Sequence, residues 1–321
     1  MPAHSTTMEN VPMAKKKVVE EKGHAAHTKD ADHQLGLPGA VRRPLKLVFI
    51  GAGSSFCPRL VNDVLKVPGL GKLEVALVDL DKKRLATMRK LITKLFSQHG
   101  RDASCVSASA NRRDVLKGAR YVVNSIEVAG VQCVDPDNDI PARYGVDQCI
   151  GDTIGPGGLF KALRTIPHWL GILKDCEELC PSALVLNYTN PMNMLCLAAG
   201  RTSSMQVVGL CHSVQGTSHL LANRAGVPYE QMDWECSGVN HLAWFTKLEH
   251  DGKDLYPLLK KKAVADLGDN PPDPTDLVRK ECMLQFGAFI TESSGHLSEY
   301  LPYFRKRKDI LSTYCRSKYD G

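Results

Sequence analysis

Cys211 and His241 are the two residues whose types and settings suit a metal ion. Cys211 lies in Gly209-Leu210-Cys211-His212-Ser213, and His241 ends Gly238-Val239-Asn240-His241. They are too far apart in sequence for a local metal finger. Two protein ligands leave positions open on an ion, which suits a catalytic metal that grips substrate rather than a closed structural site. By ligand softness alone, a thiolate and an imidazole point to zinc or iron.

A second stretch near the start could hold a cofactor. Lys46–Ile50 is a short apolar run, followed at once by Gly51-Ala52-Gly53-Ser54-Ser55-Phe56. A helical pattern from Pro58 to Val67 comes next, then an apolar run from Leu73 to Val78 that ends on Asp79. This is a strand, glycine loop, helix, strand and acid of dinucleotide-site length. Gly51 allows the tight turn, and Gly53 lets the backbone approach a pyrophosphate. Ser54 stands beside them in a loop that lacks the usual third glycine. The helix start offers free N–H groups to an anion. Asp79 is placed to accept from ribose hydroxyls and to repel a 2′-phosphate, which favours NAD over NADP.

Other candidates lie at strand tips and in loops. Tyr121–Ile126 reads as a buried strand, and Asn124 within it is expected to touch the cofactor. Gly151-Asp152-Thr153-Ile154-Gly155-Pro156-Gly157-Gly158 holds four glycines and a proline and reads as a special turn, with a helix from Leu159 to Leu179. In Asn187-Tyr188-Thr189-Asn190-Pro191-Met192-Asn193, Asn187 and Asn190 can offer hydrogen bonds to a sugar or a nicotinamide. The stretch Thr291–Tyr300 is dense in side chains able to do acid, base or sugar-binding work.

The elements that must position these residues read as α/β: a Rossmann-like doubly wound parallel sheet, of the lactate/malate dehydrogenase kind, with a C-terminal mixed α+β domain. The expected division is a disordered extension over 1–44, an NAD-binding domain over 45–211 and a catalytic domain over 212–321. His24, His27 and His33 fall in the extension and read as a solvated tail. Gly238–Phe245 reads as one strand of the second domain. The 321 residues suffice for both cores. The net charge of +6 draws much of its surplus from Lys15–Lys17, Arg42, Arg43 and Arg305–Lys308, so no basic groove for nucleic acid is expected. Eleven cysteines, an odd number without a paired spacing, read as reduced thiols of a cytosolic protein. Neither a membrane helix nor a signal peptide is legible.

Taken together, the quoted stretches resemble glycoside hydrolase family 4, the NAD- and metal-dependent glycosidases, from Lys46 to about Arg305. Cys211-His212-Ser213-Val214 resembles the α-galactosidase (melibiase) subgroup, since sister subgroups carry Asp or Asn where His212 stands. The resemblance implies oxidation of the sugar at C3 by NAD+, loss of the C2 proton, elimination at C1, water addition and re-reduction. It implies Mn2+ in place of zinc, held by Cys211 and His241. It makes His212 an acid near the leaving group and Asp152 an acid/base or sugar contact. Tyr300 becomes the base for C2, with Tyr303 as runner-up. It implies a homo-oligomer for a full-length chain, and this chain ends earlier than members of that family do. A lactate/malate-type dehydrogenase of a 2-hydroxy acid and a truncated NAD-binding fragment without turnover are the alternatives.

Overall fold

The structure, a computed structural model, describes residues 44–315. The extension expected over 1–44, with its three histidines, lies outside the described residues apart from Pro44.

Six strands form one parallel sheet: β1 (Leu45–Ile50), β2 (Leu73–Val78), β3 (Val106–Ser109), β4 (Tyr121–Asn124), β5 (Leu184–Asn187) and β6 (Gln206–Gly209). Their order is β3-β2-β1-β4-β5-β6. Central strands are continuous apolar runs because helices cover both faces. On one face α1 (Phe56–Leu65) and α2 (Lys82–Gln98) bury Val61, Ile92 and Phe96 against Phe49 and Leu77. The short α3 (Arg113–Leu116) and α4 (Val134–Arg143) follow in the chain. On the other face α5 (Gly155–Leu179) and α6 (Met192–Thr202) bury Trp169, Ile172 and Leu195 against Val48 and Val122. Trp169 is fully buried, and its indole N–H donates to Leu195 O at 3.0 Å, so the large ring carries no unpaired polar atom into the core.

The strand order reverses between β1 and β4, where a parallel sheet opens a crevice at its carboxyl ends. Pairing aligns Ile50 with Val78 and Asn124, Asn124 with Asn187, and Asn187 with Gly209. One edge of the sheet therefore releases the 51–56, 125–130, 188–191 and 210–212 segments side by side.

Two local expectations need correction. The glycines after Thr153 belong to α5, which starts at Gly155 with Pro156 in its first turn. A Cβ on Gly157 would lie 2.5 Å from Gly151 O, and one on Gly158 would lie 2.7 Å from Thr153 C. These glycines let the 151–153 segment lie directly on the first helical turn. Gly238–Phe245 is likewise not one strand. It spans the reversal between β7 (Met232–Val239) and β8 (Leu242–His250), with Asn240 and His241 as the turn and His241 at φ 61°. A two-residue hairpin of this kind demands positive φ, which sequence alternation does not reveal in a histidine.

The second sheet is antiparallel, ordered β10-β8-β7, with β9 (Lys253–Asp254) on β8 and β10 at Phe289–Ile290. Helices α7 (Ser213–Ala225), α8 (Tyr256–Asp266), α9 (Leu277–Phe286), α10 (Ser294–Tyr300) and α11 (Lys308–Tyr314) complete the described chain. Leu221, Ala222 and Ala225 of α7 pack with Met232, Phe245 and Leu248, so the helix that follows Cys211 belongs to this second core. No described helix is long and apolar enough to cross a membrane.

Candidate active site

The turn after β1 is built to admit a ligand. Gly51 has φ 80°, and a Cβ there would lie 2.5 Å from Ser125 O. Gly53 N donates to Asp79 Oδ2 at 2.7 Å, and Asp81 N donates to Asp79 Oδ1 at 2.9 Å. Asp79 thus pins the glycine loop as well as edging the crevice. A Cβ on Gly53 would lie 2.8 Å from the same carboxylate. Gly51, Gly53, Ser54, Asp79 and Lys161 help line a cavity of about 370 Å3. A glycine cradle facing the first turn of a helix fits a dinucleotide pyrophosphate.

Asn124 is not on that lining. It is fully buried, and its amide donates to Asn187 Oδ1 at 2.8 Å and Thr189 Oγ1 at 3.2 Å. Asn187 is fully buried as well and donates to Thr189 O at 3.0 Å. The expectation of cofactor contact for Asn124 and sugar contact for Asn187 is corrected: the two amides tie the tips of β4 and β5 and shape the 188–190 turn. Asn190 does line the cavity, and its amide donates to Asp152 Oδ2 at 2.9 Å.

A second cavity of about 590 Å3 adjoins the first and shares Phe56, Asp152, Tyr188 and Asn190 with it. Cys211 enters it from the end of β6 and His241 from the β7–β8 turn, with Sγ and Nε2 3.3 Å apart. Of the eleven free thiols, Cys211 is the exposed one. Most of the others serve as small apolar residues, as expected.

The hydrogen bonds orient the His241 ring. Thr153 Oγ1 lies 2.7 Å from Asp152 Oδ1 and 2.8 Å from His241 Nδ1. Burial works to raise the Asp152 pKa, but hydrogen bonds from His296, Thr153 and Asn190 outweigh it and hold the carboxyl below the usual range. An ionised carboxylate only accepts, so the Thr153 hydroxyl donates its one proton to Asp152. His241 Nδ1 must then donate to Thr153, which leaves Nε2 to face Cys211. This is the tautomer that a metal-ligating histidine adopts when its second nitrogen is anchored. Burial opposes charge on both partners, yet the hydrogen bond between them lowers the Cys211 pKa and raises that of His241. The proton they share is one that a divalent cation would displace. Thiolate, imidazole and the nearby carboxylate of Glu292, whose Oε2 is 3.5 Å from His241 Nε2, form a donor set that fits such an ion. Asp152, His241 and His296 are a second trio of close donors, but it needs the same histidine.

His212 is exposed and joins Phe56 and Tyr188 in a cluster of three mutually stacked rings, Phe56 and Tyr188 themselves being 5.8 Å apart. Its centroid is 5.3 Å from Phe56 and 5.8 Å from Tyr188. Tyr300 lines neither cavity. Its ring packs edge-on to His296 at 6.0 Å, and burial pushes its pKa far up. Tyr303 is 58% exposed and packs beside Phe286 and Phe304. Tyr303 likewise lies off the lining of both cavities. Thr153, Arg279, Glu292 and His296 belong to the site without having been singled out by position. The density of the 291–300 stretch was the available signal for two of them, and Thr153 adjoins Asp152. Arg279 gave none, being one arginine in a helix.

Residues 46–227 match the family 4 glycosyl hydrolase description, and residues 236–319 match the family 4 glycosyl hydrolase C-terminal domain. An α-galactosidase of Bacillus subtilis is 40% identical over 264 residues, which cover 82% of this chain and 60% of that protein. An α-galactosidase of Rhizobium meliloti is 39% identical over 272 residues, covering 84% and 55%. This chain therefore spans somewhat more than half the length of these relatives. In fold it is similar to a 6-phospho-α-glucosidase from gut microorganisms solved in complex with NAD and Mn2+, with a TM-score of 0.68 at 22% identity, covering 82% of this chain and 62% of that one. Sheet order, cavity and sequence likeness converge, and the chain belongs to family 4 of the glycosyl hydrolases.

Proposed function

We propose that the protein is a glycosidase that cleaves α-galactosides with the help of NAD+ and Mn2+. The observation that carries this reading is the sharing of Phe56, Asp152, Tyr188 and Asn190 by the two cavities. A nicotinamide entering from the glycine-loop side and a sugar seated beside Cys211 would meet at these residues. The relatives named as α-galactosidases support the substrate, and the neighbour solved with NAD and Mn2+ supports the cofactors. When bound, NAD+ supplies reversible oxidation of a sugar carbon, and Mn2+ on Cys211 and His241 supplies polarisation of sugar oxygens.

The side chains of this protein have separable tasks. Asp152, held ionised by its hydrogen bonds, accepts a proton or hydrogen bond from a sugar hydroxyl. Asn190, held by Asp152, orients the ring between the cavities. Phe56 and Tyr188 offer apolar faces to the sugar. His212, exposed and stacked against both rings, supplies the proton to the departing oxygen. Asp79 and the Gly51–Ser54 loop hold the adenosine side. We place the boundary between the cofactor-binding and catalytic halves at 211/212, the protein in the cytoplasm, and its working form as a homo-oligomer without nucleic-acid partners.

Release of p-nitrophenol from p-nitrophenyl α-galactoside tests the proposal. Turnover that requires NAD+, Mn2+ and a thiol reductant together is the expected result. Turnover untouched by a chelator, or NADH accumulating on a 2-hydroxy acid instead, would refute it.

A further inference from the structure

We infer that Glu292 is a third protein ligand of the divalent cation, so that the site is Cys211, His241 and Glu292 rather than a cysteine–histidine pair. This rests on the reading of Cys211 and His241 as a metal site. The three side chains place one donor atom each within 4.8 Å of one another. Sγ and Nε2 are 3.3 Å apart, and Nε2 and Glu292 Oε2 are 3.5 Å apart. Donors bound to one ion at about 2.1–2.3 Å and at right to tetrahedral angles lie about 3.0–3.7 Å from each other. Both measured separations are of that size before any ion is placed.

Glu292 is held for such a task. It has φ 74°, a left-handed conformation that a residue with a Cβ adopts only when its surroundings impose it. Arg279 imposes it here. Arg279 Nη1 donates to Glu292 O and to Ile290 O, the latter at 3.4 Å, and Arg279 N donates to Ser294 Oγ at 3.2 Å. The start of α9 thus clamps the backbone on both sides of residue 292. The carboxylate so aimed is only 23% exposed. Among the described residues it faces two histidines, at 3.5 Å from His241 Nε2 and 3.7 Å from His296 Nδ1, and no backbone N–H or hydroxyl of those residues donates to it. A half-buried carboxylate in a strained turn, turned toward a thiolate and an anchored imidazole, has its ligand role already built. A third, hard oxygen donor also moves the set from soft ligands toward those that suit Mn2+.

The test is Mn2+ binding by calorimetry on the whole chain, without sugar or NAD+, for the parent, Glu292→Gln, Glu292→Asp and Cys211→Ser. Loss of partners outside the ligand shell already costs about 10–100-fold in affinity. Glu292→Gln should therefore weaken Mn2+ by about tenfold or more. Glu292→Asp, which keeps the charge and withdraws the oxygen by one methylene, should weaken it too. Thermal melts in chelator should be unchanged, and the d–d bands of the Co2+-substituted Glu292→Gln protein should differ from those of the parent. Glu292→Gln binding Mn2+ within twofold of the parent, while Cys211→Ser loses it, would overturn the third ligand and leave the pair. Glu292→Asp binding as the parent does would reduce Glu292 to a source of charge and overturn its role as a ligand. Full affinity in Cys211→Ser would overturn the metal site itself.

Discussion

At the scale of single residues, Thr153 has the largest effect for its size. Its hydroxyl converts the charge of Asp152 into a fixed proton on His241 Nδ1. Thr153→Val keeps the volume of this buried side chain and deletes only the relay. The ring then loses its anchor, and Mn2+ affinity should fall by about 10-fold, as when the partner of a ligating histidine is removed. Isothermal titration reads it, and an unchanged affinity would mean that packing alone orients His241. Removing the platform ring makes a different prediction. Phe56→Ala leaves the metal donors in place, so Mn2+ binding should hold while KM for the glycoside rises. A fall in kcat alone would show that Phe56 positions the reacting groups instead.

At the scale of elements, the loop before α5 is held by a carboxylate from α10. Glu299 accepts from the backbone N–H groups of Cys149, Ile150 and Gly151 at 2.6, 2.8 and 3.0 Å. Three donors converging on one charged acceptor are strong hydrogen bonds, each worth about 1.5–3 kcal/mol. They set the segment that delivers Asp152 and Thr153. Glu299→Gln should speed hydrogen exchange at amides 149–151 by about tenfold or more while the exchange of β1 and β4 stays slow, and turnover should fall with it. Equal protection in the variant would show that the glycine packing on α5 suffices by itself. That packing is itself testable. Gly158→Ala puts a methyl group against Thr153, whose carbonyl carbon would lie 2.7 Å away, and should displace Thr153 from His241.

At the scale of the whole molecule, a charge cluster joins α7 to α9 and the 291–294 turn. Asp276 pairs with Arg224 at 2.7 Å and Arg279 at 2.6 Å, and Ser294 Oγ donates to it at 2.6 Å. Burial works to raise its pKa, but the two guanidinium groups and Ser294 hold the carboxyl below its usual range. A pKa lower in the folded than in the unfolded state, where it is about 3.9, gives stability that is present above that value and lost as the pH falls through the folded value. The urea midpoint should therefore be level from about pH 7 to 5 and drop below about pH 4. Asp276→Asn should reduce that drop and cost about 3 kcal/mol at neutral pH, because the buried Arg279 loses its carboxylate and Arg224 keeps only Asp273. An acid limb unchanged in the variant would assign it to other carboxylates, Asp273 among them.

The sequence alone determined the class of fold and marked the stretches in which chemistry was to be sought. Continuous apolar runs ending in Gly51-Ala52-Gly53, Asp79 and Asn190-Pro191 specify strands buried on both faces and the loops at their tips, because burial and turn chemistry are local in the chain. Cys211 and His241 stood out by residue type in short glycine-bearing stretches, although His241 was expected within a strand and the structure sets it in a turn. What those residues face was decided by tertiary structure. Asn124 and Asn187 look like ligand contacts from their strand tips, yet strand pairing sets the Asn124 amide on Asn187, whose own amide donates to Thr189 O. The resemblance implies Tyr300 as a base, and the structure sets its ring against His296, off the lining of both cavities. Glu292, Thr153 and Arg279 reach the site from three separate elements. A ligand set is a matter of a few ångströms between distant segments, and no spacing along the chain encodes that distance.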